Sequence, residues 1–375
     1  MNRSFQATCV AAAERWEVPA LVVGTKDEVV ALGCDEDTRF RIASITKPMT
    51  AMLALRLLDF DASTGIWPAD VRVRHLLSHT SGFDSELADG NNEQYGSGDD
   101  ALAACVADLP GIRRFVGVET AWSYANTGYW LAGHLAAERA GSTFEEALTE
   151  HVLRPAGLEA TTFDGPDVAG TGRDAQPEPY PRSRRPSGGL VSNVPDLRRF
   201  AEWFATAGAP QRVVHGRPVG RVYGLGVFGE RVAGVDVWGH SGSWGGYQSS
   251  FLTVPSHDAY IVGLTNSSFG AKALAEIEDA FFEQVIGEPR WKPPFVVPAP
   301  GELDRYAGTY ENSDARIEVV ASADQLVLHT DGEEIVGRKI GDGVFRVPDG
   351  PYVNERFDFP LAGFGRFGSR LAGRV

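Results

Sequence analysis

The chain has 375 residues, 43% of them hydrophobic and 23% charged. These are ordinary globular fractions that exclude disorder, collagen and coiled coil, and at ~150 residues per domain they predict two or three domains. Lys plus Arg is 35 and Asp plus Glu 50, a net charge of -15 that argues against nucleic acid or an anionic membrane surface as partner. Cys9, Cys34 and Cys105 are too few and scattered for a disulfide framework, contain no CxxC pair, and read as small buried hydrophobes rather than metal ligands.

Ala7 to Trp16 reads as a helix, broken by Glu14 and Arg15, so it lacks the unbroken apolar core of a secretory signal. No stretch reaches the ~18 apolar residues of a membrane span. The expectation is a soluble, cytoplasmic protein, which a trimmed leader would leave looking the same. Residues 20–24 and 29–33 predict two strands joined by a turn at Lys26 to Glu28. Residues 47–60 predict a helix with Met49, Met52, Leu53, Leu57 and Phe60 on one stripe. From about 61 to 190 the pattern is helical with long loops, at 91–100 and 165–186. It includes a helix over 127–139 that stops at Gly141 and another opened by the capping box Thr143–Glu146 and closed before Pro155.

Asn193 and Pro195 open a helix with Leu197, Phe200 and Phe204 inward. Strands over 226–231, 235–238, 246–254 and 259–265 follow, with short connections, including the glycines near His240, that predict an antiparallel meander. A helix carrying Leu274, Ile277, Phe281 and Val285 is capped by Gly287. A Pro-rich linker over 288–300 leads to strand-and-turn sequence from Tyr306 to Val375.

The strongest chemical signal is Ser44-Ile45-Thr46-Lys47, followed by Pro48. Pro48 has no amide hydrogen and fits a first helical turn, which pins the helix start near Ser44. Residues three apart share a helical face, so Lys47 can stand beside the Ser44 hydroxyl. A serine needs such help, and a partly desolvated lysine can take its proton. Alone, so short and common a motif reads first as an N-cap serine followed by a surface lysine. Tyr124-Ala125-Asn126 places a phenol and a carboxamide two residues apart just before a helix, where both can face one cleft. Gly239-His240-Ser241-Gly242-Ser243 reads as glycine-bearing edge strand that lets a substrate backbone approach and offers amides to an oxyanion.

Together these motifs make the chain resemble the serine β-lactamase and penicillin-binding protein superfamily, in its class C β-lactamase and DD-peptidase branch. That branch also holds esterases, D-amino-acid peptidases and acyltransferases. The resemblance covers about Val18 to Gly287 and rests on SxxK at Ser44 to Lys47, YxN at Tyr124 to Asn126, and a third motif at His240-Ser241-Gly242. Residues 76–82, 188–192 and 223–226 also look like the family.

It implies an α/β fold: an antiparallel sheet flanked by helices, formed from both ends of a catalytic domain at 1–287, with an all-helical insertion at about 61–190. The tail at 301–375, with Tyr306-Ala307-Gly308-Thr309-Tyr310, looks like a small lipocalin-like β domain. It further implies Ser44 as nucleophile, Lys47 and Tyr124 as acid and base, and Asn126 binding a substrate amide. The backbone amides of Ser44 and Ser243 would form the oxyanion hole, with no metal or organic cofactor. His240 stands where class C β-lactamases carry lysine, which exchanges a permanent cation for a titratable one. Trp122 and Trp244 flank the motifs, either lining an acyl pocket or packing in the core.

Gly239 to Ser243 nearly matches a GxSxG nucleophile elbow, but that elbow must lead into a helix, whereas strand sequence follows. His75 and His79 have the spacing of a metal pair without the HExxH glutamate, and read as packing and hydrogen-bonding residues. Arg182, Arg184 and Arg185 read as a solvated loop or as a grip on a substrate carboxylate. The expected activity is hydrolysis of a small soluble ester or amide through an acyl-enzyme. The alternatives are transacylation to an amine or alcohol acceptor in natural-product biosynthesis, and a non-catalytic binding module on the same scaffold.

Overall fold

The computed structural model describes residues 5–87, 92–176, 179–217, 220–349, 352 and 354–375. Residues 1–4, 91 and 177–178, which belong to the predicted N-terminal and loop segments, lie outside the described residues. The chain opens with α1 (Phe5–Arg15), β1 (Leu21–Thr25), β2 (Val29–Leu32), β3 (Phe40–Arg41) and α2 (Thr46–Leu57). Helices α3 (Val73–Leu77), α4 (Ala101–Ala107), α5 (Asn126–Ala140), α6 (Phe144–Leu148) and α7 (Arg185–Gly188) follow. Then come β4 (Val191–Ser192), α8 (Val194–Ala207), β5 (Val222–Tyr223), β6 (Phe228–Val232), β7 (Val235–Trp244), β8 (Tyr247–Val254), β9 (Ala259–Thr265) and α9 (Gly270–Val285).

The first and last strands of this part meet in one antiparallel sheet of order β2-β1-β9-β8-β7-β6-β5. Both faces of the sheet are covered. Leu21 and Val23 of β1, with Val237, Val254 and Ile261, pack against α1 and α9. Their alternates Val22, Val262 and Leu264 pack with Phe200 and Phe204 of α8 and with the helical region. This two-sided burial explains why β1 reads as a continuous apolar run rather than an alternating one.

Helix α2 is buried on all sides from Thr46 to Ala54, because α5, α6 and α7 pack around it, so its apolar stripe understates its burial. The predicted end of that helix is corrected. Leu58 turns extended at ψ 149°, and Phe60 lies beyond the helix, 39% exposed. The capping box forms as its sequence requires: the Thr143 hydroxyl accepts from the Glu146 N–H at 3.2 Å, and the Glu146 carboxylate accepts from the Thr143 N–H at 3.0 Å. Asn193 caps α8 by accepting from the Asp196 N–H at 3.0 Å.

The glycines near His240 do not interrupt the sheet, contrary to the sequence reading. β7 runs unbroken through them from Val235 to Trp244, and the turn falls at Gly245 and Gly246, whose φ values of 59° and 84° suit glycine. β6 begins at Phe228, two residues later than its sequence suggests.

The C-terminal strands β10 (Gly308–Glu311), β11 (Arg316–Ala321), β12 (Gln325–Thr330), β13 (Glu333–Gly341), β14 (Val344–Arg346), β15 (Arg356–Leu361), β16 (Phe364–Phe367) and β17 (Arg370–Arg374) close into a barrel. Its interior is filled by Tyr306, Tyr310, Phe345, Phe357 and Phe367 among others. The Pro-rich segment before it is tied down rather than free. Arg290 pairs with Glu230 at 2.8 Å and with Glu278 at 2.9 Å, and Val296 N–H donates to Lys339 O at 2.8 Å.

The barrel also grips the Tyr124 loop. Arg366 forms a buried two-pronged pair with Asp358 at 2.8 and 2.6 Å and donates to the Trp122 carbonyl at 2.9 Å. Replacing Arg366 by alanine leaves the Asp358 carboxylate buried without its cation, an expected loss of ~3–5 kcal/mol. Urea unfolding followed by tryptophan fluorescence measures it; an unchanged midpoint would dismiss the pair as a structural tie.

Candidate active site

Ser44 lies in a short 3₁₀ turn, Ala43–Ile45, just ahead of α2, and no side chain caps α2 there. The N-cap serine reading is thereby excluded, and so is the surface lysine, because Lys47 is fully buried. The turn is clamped from several sides. Ile42 N–H donates to Leu190 O at 3.0 Å, the Thr46 hydroxyl accepts from Leu190 N–H at 3.2 Å, and the Ser249 hydroxyl of β8 donates to Ile42 O at 2.8 Å. Ala43 is held at φ 44°, a left-handed conformation costing ~1–3 kcal/mol in a residue with a Cβ. The clamps sustain that strain immediately before the nucleophile candidate.

Lys47 Nζ lies 3.1 Å from Ser44 Oγ and donates to Ser187 O at 2.7 Å. The Tyr124 hydroxyl donates to Ser44 Oγ at 2.9 Å, and Lys47 Nζ sits 4.7 Å above the Tyr124 ring. Burial pushes the Lys47 ammonium well below its ordinary 10.5; Glu86 works against the shift and Arg370 with it. Burial raises the Tyr124 phenol, partly offset by its bond to Ser44. Burial therefore favours the uncharged form of both groups, an unprotonated amine and a protonated phenol.

His240 sits in the middle of β7, where β6 has already ended. β6 pairs with β7 only as far as Gly239, and from His240 to Trp244 the strand pairs with β8. Among the described residues the other edge of this stretch carries no strand, as the sequence predicts, and it lies against the Ser44 turn. A Cβ on Gly242 would stand 2.1 Å from Ile42 O and 3.0 Å from Ser44 N, so only glycine lets the strand come this close. Ser241 and Ser243 point outward, and the Ser243 hydroxyl accepts from Gln248 Nε2 at 2.8 Å.

The His240 ring is buried. Nδ1 donates to Ser241 O at 2.5 Å, and Nε2 stands 3.2 Å from the Tyr223 hydroxyl. This is the neutral tautomer with its free nitrogen turned to a phenol. Burial, then Lys47, lowers its pKa from 6.5 to about 3. The titratable cation expected at this position is thus corrected to a neutral ring.

Asn126 opens α5 and its Nδ2 donates to the Glu86 carboxylate. Trp122 is 3% exposed and packs edge-on or tilted against His79, Tyr223 and Phe228, so it backs the Tyr124 loop instead of lining a cleft. Trp244 is half-buried beside Tyr180 at 4.9 Å, both rings flanking the Arg41 guanidinium at 5.3 Å. His75 and His79 do separate jobs: His75 Nδ1 accepts from Arg72 N–H, and His79 Nδ1 accepts from Ala125 N–H, each at 3.0 Å. Arg182 and Arg185 pair with Glu145 at 2.9 and 2.6 Å, and Arg184 with Glu86 at 3.3 Å. Both sequence readings of these arginines give way to carboxylate partners within the chain.

Sequence reasoning missed the Ser187 carbonyl, Glu86, Tyr223 and, from the barrel, Arg370. Arg370 Nη2 reaches to 3.5 Å from Glu86, while its neighbours bind the Tyr124 loop: Tyr124 N–H donates to Ser369 O at 3.0 Å, and Leu371 N–H to the Ser123 hydroxyl at 3.0 Å.

A serine held just after a strained alanine, beside a buried lysine and a tyrosine and on the open edge of an antiparallel strand, is the layout of a serine acyl-transfer site, and comparison with known proteins agrees. The family model described as Beta-lactamase matches residues 11–286, so the chain belongs to the Beta-lactamase family of serine hydrolases. It is similar to Penicillin-binding protein 4 of Amycolatopsis lactamdurans, 27% identical over 335 residues, spanning 73% of this chain and 85% of that protein. It also matches Esterase EstB of Burkholderia gladioli, 36% identical over 89 residues, 19% of this chain and 23% of that one. Among solved structures, SurE with D-Leu superposes with a TM-score of 0.76 over 99% of both chains at 22% identity, a likeness of fold through the barrel. Among the described residues no helix is long and apolar enough to cross a membrane.

Three outcomes follow from the geometry. Lys47→Ala and Tyr124→Phe each lower kcat/KM by about 100-fold or more; near wild-type rates in either would remove that residue from the proton path. Because only neutral Lys47 can accept a proton, activity rises with pH and levels off well below 10.5. The His240 ring resonance, assigned with His240→Gln, stays unchanged between about pH 5 and about pH 8. A shift in that interval would show a charged imidazole.

Proposed function

We propose that the protein is a serine acyl hydrolase that cleaves a small ester or amide through a Ser44 ester. The observation that carries this reading is the pair of contacts on Ser44 Oγ: the buried Lys47 amine at 3.1 Å and the Tyr124 hydroxyl at 2.9 Å. Lys47, neutral, takes the Ser44 proton as Oγ bonds to the substrate carbonyl carbon. In this reading the oxyanion falls between β7 and the Ser44 turn and accepts from the Ser44 and Ser243 amides. Tyr124 protonates the leaving oxygen or nitrogen as its bond to the acyl carbon breaks, and recovers a proton from Lys47. Water, deprotonated by the same pair, then attacks the ester, and the proton passes to Ser44 Oγ as its bond to the acyl carbon breaks and the acid is released. Asn126 binds the substrate, Ser241, Gly242 and Trp244 border its path, and His240 and Trp122 support the wall behind. The esterase named among the relatives supports an ester donor.

The test begins with a fluorophosphonate probe. Ser44→Ala loses all labelling and turnover while staying folded, since the serine contributes at most a local contact. Labelling of another serine in that variant would defeat the assignment.

The acyl acceptor is settled by partitioning. With an activated ester as donor and amines or alcohols at about millimolar concentration, water is expected to take the acyl group throughout. A single acceptor that saturably outcompetes ~55 M water would require a binding site of its own and would make transacylation the activity. Absence of any acylation would favour a binding module.

A further inference from the structure

His79 stands behind the tyrosine, and the acyl-transfer steps do not use it, yet the chain is strained to place it there. It is 1% exposed and holds φ at 59°, a left-handed conformation that a residue with a Cβ resists. From this position it contacts both sides of Tyr124. Its carbonyl accepts from the Ser123 N–H at 3.0 Å, and its ring Nδ1 accepts from the Ala125 N–H at 3.0 Å. The imidazole also lies against the phenol ring, with centroids 4.3 Å apart and planes tilted by 35°.

No helical bond secures the Ala125 N–H. Ala125 is extended, at φ -138° and ψ 113°, and α5 begins only at the next residue. An apolar residue at position 79 would fill the space and leave that buried N–H unpaired. A ring nitrogen that accepts must be bare, so the proton of the neutral imidazole sits on Nε2, which has no partner among the described residues. Burial, then Lys47 and His240, hold the ring well below its ordinary 6.5 and so keep Nδ1 free to accept.

We propose that His79 is a positioning residue that aims the Tyr124 hydroxyl at Ser44 Oγ and at the leaving group beside it, by fixing the loop on both sides of the tyrosine. The inference rests on the reading of Tyr124 as the acid of a Ser44 acyl transfer. Two backbone bonds and one ring face leave the phenol little room to swing, and its 2.9 Å contact with Ser44 Oγ depends on that restraint. A loosened phenol spends less time in line with the departing atom. Its loss is felt most where the leaving oxygen is basic and needs a proton, and least where it departs as a stable anion.

The experiment measures kcat/KM, which reports acylation, for the acetate esters of p-nitrophenol, phenol and trifluoroethanol, in order of rising leaving-group basicity. In His79→Ala the loss grows along the series, from about threefold on the p-nitrophenyl ester to about thirtyfold or more on the trifluoroethyl ester. Added to Tyr124→Phe, the same substitution lowers the rate by less than about twofold on any of them, because the group it positions is gone. His79→Asn restores most of the rate, since its Oδ1 stands where Nδ1 stood and asparagine accepts the left-handed backbone. His79→Gln, with its oxygen one bond farther out, does not, and it carries the test if the alanine variant fails to fold. An equal loss on every ester in a folded variant overturns the inference, being the mark of a residue that only shapes the site. So does His79→Gln matching His79→Asn, or failure of both the alanine and the glutamine variants to fold. If none of the esters acylates Ser44 in wild type, the functional reading fails and takes this inference with it.

Discussion

The site depends on what an amine does when it is sealed from water. Lys47 is fully buried and, among the described residues, has no carboxylate in contact with it; its partners are a hydroxyl, a backbone carbonyl and two aromatic faces. An ammonium in such surroundings loses its hydration without a counter-charge in compensation, so the neutral form gains. That single constraint organises the neighbourhood. The Ser187 carbonyl takes one N–H, which fixes the amine and leaves its lone pair to Ser44. Tyr124, buried by the same packing, keeps its proton. The residues that exclude water are therefore as much part of the chemistry as those that touch the serine.

The barrel belongs to this arrangement although it lies far along the chain. The Tyr124 loop receives hydrogen bonds or donates them to Ser369, Leu371 and Arg366, while Asp84, on the facing loop, accepts from the Ser313 N–H and hydroxyl at 3.0 and 2.8 Å. Loops alone lack the rigidity that a 3 Å proton path needs. Here the β16–β17 turn and the β10–β11 turn brace both walls of the cleft. Arg370 adds a charge, lowering Lys47 further and meeting Glu86, so the electrostatics of the site are shared with the barrel strands.

What the sequence could reveal follows from how local each signal is. Ser44 and Lys47 are three residues apart on one turn, and Tyr124 and Asn126 share one loop, so both pairs are legible from spacing. The capping box at Thr143 and the Asn193 cap are legible for the same reason. Glu86 and Arg370 meet across 284 residues, and no pattern within either segment announces the meeting. The Ser187 contact is through a backbone carbonyl, which has no side-chain signature. β7 was obscured for a different cause: glycines at 239 and 242 lower strand propensity, yet tertiary packing keeps the strand and uses the missing Cβ of Gly242 to bring it against Ser44. Phe60 shows the converse, an apolar residue in helical register that lies past the point where the chain leaves the helix.

The third motif decides the electrical character of the cleft. A lysine there would bring a cation into the cleft, and would call for an anionic group on the substrate to balance it. His240 instead spends Nδ1 on its own strand and Nε2 on Tyr223, and burial would strip a protonated ring of its hydration. The remaining cations at the rim are already matched within the protein, Arg184 by Glu86 and Arg370 by Glu86 and Asp314. A donor carboxylate entering this cleft would have to displace one of those pairs, whereas a neutral ester or amide needs only the open strand edge and the oxyanion amides. The same reasoning explains why a chain of net charge -15 can use such a site. Its surface repels anions at a distance, and a chemistry aimed at neutral donors loses nothing by that repulsion.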